Sequence, residues 1–224
     1  MLKKILTNII LLARELIRGA FFALVAFIII VAILASATLS ARGEEEYPST
    51  PQPSRTLYVR HFATDTKEIE ASADTLLLMA QESKDPIHII INSRGGQLDA
   101  ATDFITVIKD AQRLGVSIIC TVRGQAYSAA FWILSMCSER RIQVGSTLMF
   151  HPVRYVFAGQ VVLTEEELKG LAQEATANNL VMFLAVKTAT RKSSTWVMTA
   201  FHQERVFTAS EFLLEAPKFG VLIP

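Results

Sequence analysis

The chain has 224 residues, of which 51% are apolar, and its formal net charge at pH 7 is +1. This length supports one domain of ordinary size with a sizeable core, together with an additional segment. A charge so close to zero gives no electrostatic reason to expect nucleic acid as a partner. The two cysteines, Cys120 and Cys137, lie in apolar stretches. We therefore expect them to be small core residues, since two cysteines are too few to indicate a disulfide framework or a metal site.

An uncharged apolar run at 19–41 follows a basic segment at 1–18. The run is long enough to cross a bilayer as a helix, which needs about 20 apolar residues. Because lysine and arginine precede it and an acidic trio follows at 44–46, we expect a cytoplasmic N-terminus and an exported C-terminal part. A cleaved signal peptide is the competing interpretation, since small residues at 35–37 and 39–41 resemble cleavage sites. The lengths of the basic and apolar segments favour an uncleaved anchor.

The segment 42–55 combines charge, serine and three prolines, a composition typical of an extended tether. From residue 56 to residue 224 predicted strands alternate with predicted helices, which indicates an α/β domain with mainly parallel strands. In chain order the predictions are a strand at 56–62, a helix at 66–83, a strand at 87–92, a helix at 97–115, a strand at 116–122, a helix at 128–137, strands at 141–144 and 147–150, helices at 165–190 and 194–201, a strand at 205–208 and a helix at 209–216.

Several of these elements have a more specific prediction. The continuous apolar run at 87–92 is typical of a strand buried on both faces. The next strand is expected to end at 122, with Gly124 in the turn that follows it. The helix at 128–137 is apolar all round, so we expect it to be buried. Thr164 and Glu167 form a capping-box pattern at the start of the long helix.

Two glycine-containing turns follow successive buried strands, "NSRGG" at 92–96 and "GQAYS" at 124–128. In a parallel sheet both turns lie at the same edge, where α/β proteins build their sites. The second turn delivers Ser128 to a helix N-terminus. Backbone N–H groups and a helix dipole are suited to hold a developing oxyanion, so Gly96 and Ala129 are candidate donors.

A serine hydroxyl becomes a strong nucleophile only when a base takes its proton. His151 is the best candidate base, because it stands where a strand ends, just before Pro152. The other three histidines lie inside a strand or near element ends with no glycine turn beside them: His61, His88 and His202. Taken singly, Ser128 is explained as a helix N-cap and His151 as a loop residue. Their occurrence together, in this order, favours a catalytic site.

The stretch 87–137 resembles the ClpP family of serine peptidases, whose pattern has an N-S-P-G-G turn, then G-x-A-x-S opening a helix, then a histidine after a short strand. The matching segments here are 92–96, 124–128 and 149–152. The similarity extends from about residue 56 to the C-terminus. It implies an α/β fold of the ClpP/crotonase type, built of repeated ββα units. The similarity leaves out the anchor and the tether, so we expect this domain to be preceded by one N-terminal transmembrane helix, which the apolar run at 19–41 predicts.

The resemblance also implies roles for individual residues. Ser128 matches the nucleophile, His151 the general base, and Gly96 with Ala129 the oxyanion amides. The third catalytic residue of the family is an aspartate near the end of the chain, and Glu204 of "QERVFTASEF" stands in its place.

The glycine turn departs from the family pattern at one position. Arg94 replaces its proline, and with Gly95 it is expected beside the bound substrate strand.

The function that the resemblance implies is that of a serine endopeptidase acting on a peptide or protein, with no cofactor or metal. The membrane anchor would place its domain on the periplasmic or extracytoplasmic side of a bacterial cytoplasmic membrane. A homo-oligomeric ring is expected, with the helix from Thr164 contributing to contacts between rings. Because the N-terminal end is tied to the membrane, we do not expect the ATP-driven unfoldase that serves the family in the cytoplasm.

Three alternatives remain open. One is a catalytically silent, membrane-tethered scaffold, which the departures at Arg94 and Glu204 allow. Another is a membrane protease of the signal-peptide-peptidase or NfeD-like kind with a lysine base, Lys109 or Lys169, although His151 in the family position argues against it. A crotonase-type acyl-CoA enzyme is less favoured, since that group does not use a serine at the helix start.

Overall fold

The computed structural model of the protein describes residues 55–157 and 159–224. The predicted anchor at 19–41 lies outside the described residues, as does the tether apart from its last residue. Within the described ranges, no helix combines the length and the apolar character needed to cross a bilayer. The described residues belong to one compact unit.

Strands and helices alternate along most of the described chain. In order they are β1 (Thr56–Val59), α1 (Lys67–Glu82), β2 (Ile87–Ser93), α2 (Leu98–Arg113), β3 (Ile118–Tyr127), α3 (Ala129–Met136), β4 (Glu139–Gln143), β5 (Thr147–Met149), α4 (Glu165–Thr190), α5 (Ser194–Gln203), β6 (Phe207–Thr208), α6 (Ala209–Glu215) and β7 (Val221–Ile223). The predicted capping box is present, since Thr164 and Glu167 exchange side-chain and backbone hydrogen bonds at the start of α4.

The strands form a mixed sheet in the order β1-β2-β3-β4-β7, with β5 beside the far end of β3 and β6 beside β5. All neighbours are parallel except β5 and β6, so the predicted α/β domain with mainly parallel strands is confirmed. The strand predicted to end at 122 continues instead through Gly124 to Tyr127. The short strand β7, which pairs with β4, was not predicted.

Strand β2 is fully buried on one face only, whereas residues 118–122 of β3 are buried on both faces. In β2 the side chains of Ile87, Ile89 and Ile91 are completely buried, while His88 and Ile90 on the other face are half-buried. The expectation of burial on both faces was therefore wrong. An isoleucine run does not reveal that the helices leave the second face partly open.

Helix α3 is buried from Ala129 to Ser135, as its apolar sequence predicts. An aromatic cluster joins this helix to later elements. The ring of Phe131 lies 4.9 Å from that of Phe150, which follows β5. The other members of the cluster are Trp196, Phe201, Phe207, Phe212 and Phe219.

The two cysteines are bonded to each other, which the sequence did not predict. Cys120 in β3 and Cys137 after α3 form a disulfide, with their Cα atoms 5.9 Å apart. Both are buried, as expected, but they are not free thiols. Helix α3 runs back along β3, and this return path brings together two residues that are 17 positions apart. The sequence does not show the return path, so spacing alone could not predict the bond.

Candidate active site

Strand β3 contains a bulge that determines where its last residues lie. Ile91 of β2 is opposite Val122 of β3, but Ser93 is opposite Ala126, so β3 advances four residues while β2 advances two. Before this bulge β3 pairs with β4, and after it with β5. A bulge bends a strand and redirects the residues beyond it. The end of β3 is thereby turned from β4 toward β5, the strand that precedes His151.

Two polar side chains satisfy the backbone of the bulge. Ser146 Oγ accepts a hydrogen bond from the Gly124 N–H at 3.0 Å, and Asn92 Oδ1 accepts one from the Gln125 N–H at 3.3 Å. Buried backbone groups need such partners when a strand ladder is interrupted. Sequence reasoning assigned no role to the side chains of Asn92 and Ser146, although Asn92 belongs to the glycine-turn motif.

Ser128 lies between β3 and α3 in a backbone conformation that side chains rarely adopt, with φ 55° and ψ −126°. Such a conformation costs about 1–3 kcal/mol and is concentrated at functional sites. The side chain is half-buried, and it makes no capping hydrogen bond to α3. A capping role therefore does not account for this serine.

The glycine turn after β2 touches the serine turn. Gly95 has a φ of 89°, and a Cβ atom placed there would lie 2.7 Å from the Tyr127 carbonyl oxygen and 2.9 Å from Ser128 Cβ. Any larger residue would push the two turns apart. Ser93, which is buried, supports the turn because its Oγ accepts a hydrogen bond from the Gly95 N–H at 3.0 Å.

The N–H groups of Gly96 and Ala129 are the oxyanion donors that the sequence predicts. The Gly95 carbonyl accepts a hydrogen bond from the Phe62 N–H at 3.2 Å. Because a trans peptide points its C=O and N–H in opposite directions, the Gly96 N–H points away from Phe62, toward the β3 side. Ala129 is the first residue of α3, where an N–H has no acceptor within the helix. The donor roles of Gly96 and Ala129 stay a prediction.

His151 follows the strand that pairs with the end of β3. The Ser128 N–H donates to the Met149 carbonyl at 2.9 Å, so His151 stands two residues beyond the partner of the serine. Its Nδ1 lies 2.6 Å from the Pro152 carbonyl oxygen. A carbonyl can only accept, so Nδ1 carries the proton and Nε2 of the neutral ring is free to act as a base. No hydrogen bond joins His151 to Ser128 Oγ in the part of the chain that the structure describes.

The surroundings favour the neutral imidazole. Burial lowers the pKa of His151 below its ordinary value of 6.5, and the positive charge of Arg154 lowers it further, while the hydrogen bond to Pro152 raises it. The ring can therefore remain an acceptor at neutral and mildly acidic pH.

Glu204, the predicted third catalytic residue, pairs with an arginine. It ends α5 in a left-handed backbone conformation with φ 50°, and its carboxylate forms an ion pair with Arg154. Among the described residues no hydrogen bond joins it to His151. The structure thus brings together Gly95, Gly96, Ser128, Ala129 and the strand leading to His151. Glu204 is connected to this group through its ion pair with Arg154.

A known protein family matches most of the chain. The sequence model of the Clp protease family matches residues 52–222. The chain belongs to the Clp protease family. No curated protein sequence matches it. The family supports a ClpP-like fold, in agreement with the parallel sheet described above, and implies a serine peptidase among the hydrolases.

The other residues predicted for the site of this Clp-family chain are Arg94 and the two alternative bases. Arg94 is exposed on the glycine turn, and it has no ion-pair partner among the residues described. Of the two alternative bases, Lys109 is exposed on α2 and Lys169 pairs with Glu165 at 2.5 Å on α4.

A cavity of about 280 Å³ lies on the open face of the sheet and does not include Ser128. It is lined by Tyr58, Val59, Arg60, Ile90, Asn92 and Arg123.

The effect of Arg154 on the pKa of His151 should be measurable. In Arg154→Gln the pKa of His151 is expected to rise, because the nearby cation is lost and the Glu204 carboxylate is released. An NMR titration of the imidazole should give a midpoint below 6.5 in the unmutated protein and a higher midpoint in the variant. Arg113→Gln, which removes an arginine paired with Asp110 on α2, is the matched control and should leave the midpoint unchanged. A midpoint that falls in Arg154→Gln would contradict this assignment.

Proposed function

We propose that the protein is a membrane-anchored serine endopeptidase of the Clp protease family, which cleaves peptide bonds on the exported side of the membrane. The observation that carries the proposal is the contact between the two turns. A strained Ser128 at the start of a buried helix lies against the glycine turn that contains Gly95 and Gly96. Nucleophile and oxyanion donors in one place are the parts that acyl transfer requires.

The proposed reaction begins with proton transfer from Ser128 Oγ to Nε2 of His151. The oxygen attacks the substrate carbonyl, and the N–H groups of Gly96 and Ala129 hold the negative charge that forms on the carbonyl oxygen. The imidazolium then gives its proton to the departing amine, leaving an acyl-enzyme. Water, deprotonated by the same imidazole, releases the acid and regenerates the serine.

The substrate strand is proposed to bind along the turn of Gly95 and Arg94, where the guanidinium is exposed. The third catalytic position is assigned to Glu204 by its match to the family pattern. A glutamate can stabilise an imidazolium as an aspartate does, but here it would have to exchange Arg154 for His151.

A homo-oligomeric ring is the proposed assembly. Support comes from α4, which exposes apolar side chains along its length: Leu168, Leu180, Val181 and Leu184. Apolar side chains concentrated on one exposed element are typical of protein interfaces. A partnership with an ATP-driven unfoldase is not part of the proposal, because the N-terminal end is assigned to the membrane.

The exported location is supported by two features. The sequence at 19–41 is apolar and follows a basic segment. The bond between Cys120 and Cys137 is of a kind that persists in oxidising compartments and is rare in the cytosol.

A fluorophosphonate probe tests the catalytic proposal. The folded, full-length protein should take up one label on Ser128, and Ser128→Ala should take up none. In His151→Ala the rate should fall by about 10²-fold or more, the usual effect of losing a general base, whereas Lys109→Ala and Lys169→Ala should react normally. Light scattering on the same sample should give a mass above that of one chain.

Two results would overturn it. An unmutated protein that is folded and oligomeric but takes up no label would be a silent scaffold. A His151→Ala variant that reacts at the full rate, with loss of labelling in one of the lysine variants, would indicate a lysine base.

The orientation can be tested in spheroplasts. Protease added outside should digest residues 56–224, and alkylation without a reductant should leave Cys120 and Cys137 unmodified because they are bonded to each other. A protected domain with two alkylated cysteines would place the protein in the cytoplasm.

A further inference from the structure

One peptide group connects His151 to the long helix α4. The carbonyl of Pro152 accepts the hydrogen bond from His151 Nδ1 at 2.6 Å. The N–H of Val153, which belongs to the same peptide group, donates to Asn179 Oδ1 at 2.7 Å. The C=O and the N–H of a trans peptide point in opposite directions within one rigid plane. The imidazole and the amide side chain therefore hold this plane from its two sides.

We infer that Asn179 is a positioning residue for the catalytic base, acting through the peptide group between Pro152 and Val153; this inference rests on the proposed function. Rotation of the peptide would move the Pro152 oxygen away from Nδ1. Asn179 opposes that rotation, since turning the plane would break its own hydrogen bond. A hydrogen bond at the N–H also polarises the peptide and makes its carbonyl a stronger acceptor.

The residues on either side of this peptide are also fixed. Phe150 is buried in the aromatic cluster against Phe131, which lies in the helix that Ser128 opens. Arg154 is paired with Glu204 at the end of α5. Between these two attachments, Asn179 is the side chain that determines which way the Pro152 carbonyl faces. In this structure a backbone carbonyl keeps the proton on Nδ1 and so leaves Nε2 free.

Asn179 is suited to this role by its position. It is half-buried within the 26-residue helix α4, whose backbone fixes where the side chain begins. The neighbouring residue, Asn178, is also half-buried, and its side chain makes no hydrogen bond within the described ranges. The chain thus offers a control of the same type, one position away.

The test uses the full-length protein with ¹⁵N-labelled histidine. In the unmutated protein the nitrogen shifts of His151 should show the form protonated at Nδ1. Asn179→Ala should lose that preference, and its kcat should fall by about 10–100-fold, the scale of a misplaced catalytic group, with little change in KM. Asn178→Ala should match the unmutated protein in both measurements. Asn179→Asp, which keeps an acceptor for the Val153 N–H, should restore the Nδ1 form and most of kcat.

The outcomes separate the inference from the proposed function. An Nδ1 form that persists unchanged in Asn179→Ala, with kcat also unchanged, would overturn the inference. A His151 protonated at Nε2 in the unmutated protein would do the same, and this measurement does not depend on the variants folding. The peptidase proposal is decided separately, because the NMR signal needs no activity: a protein that shows the expected shifts but takes up no fluorophosphonate label retains the positioning contact and loses the proposed function.

Discussion

The change of partner along β3 is the constraint on which the site depends. Its first half is bound to β4 and its last residues to β5, with a bulge between them whose backbone is satisfied by Asn92 and Ser146. Since the last residues pair with β5, Ser128 and His151 leave neighbouring parallel strands at one edge. Without the bulge, β3 would continue beside β4 and would direct the serine away from the histidine.

The sequence predicted the alternation of elements because hydrophobic periodicity is local. It also predicted that the glycine turn after β2 and Ser128 lie at one edge, since parallel strands require it, although Gly124 lies within β3 and not in a turn. It did not predict the length of β3, because a strand that changes partners has no local signature. The disulfide was missed for a related reason: the distance from Cys120 to Cys137 depends on the path of α3. The role of Asn179 was equally inaccessible, because its hydrogen bond to Val153 joins residues 26 positions apart.

The environment of His151 separates two tasks that a catalytic carboxylate usually combines. A carboxylate both orients the imidazole and stabilises the cation that forms during the reaction. Here a peptide carbonyl orients the ring, and the positive charge of Arg154 opposes its protonation. Glu204 is bound to that same arginine. The ion pair therefore connects Arg154, which lowers the pKa of His151, with Glu204, which stands at the third catalytic position of the family pattern.

A crystal structure of the protein with a peptide boronate would show whether one sheet edge brings together the nucleophile, the base and the oxyanion donors. We expect a covalent bond from boron to Ser128 Oγ, with one boronate oxygen within hydrogen-bonding distance of the Gly96 and Ala129 N–H groups and another near His151 Nε2. A boronate bound at a different residue, or one attached to Ser128 with its oxygens directed away from both amides, would contradict it.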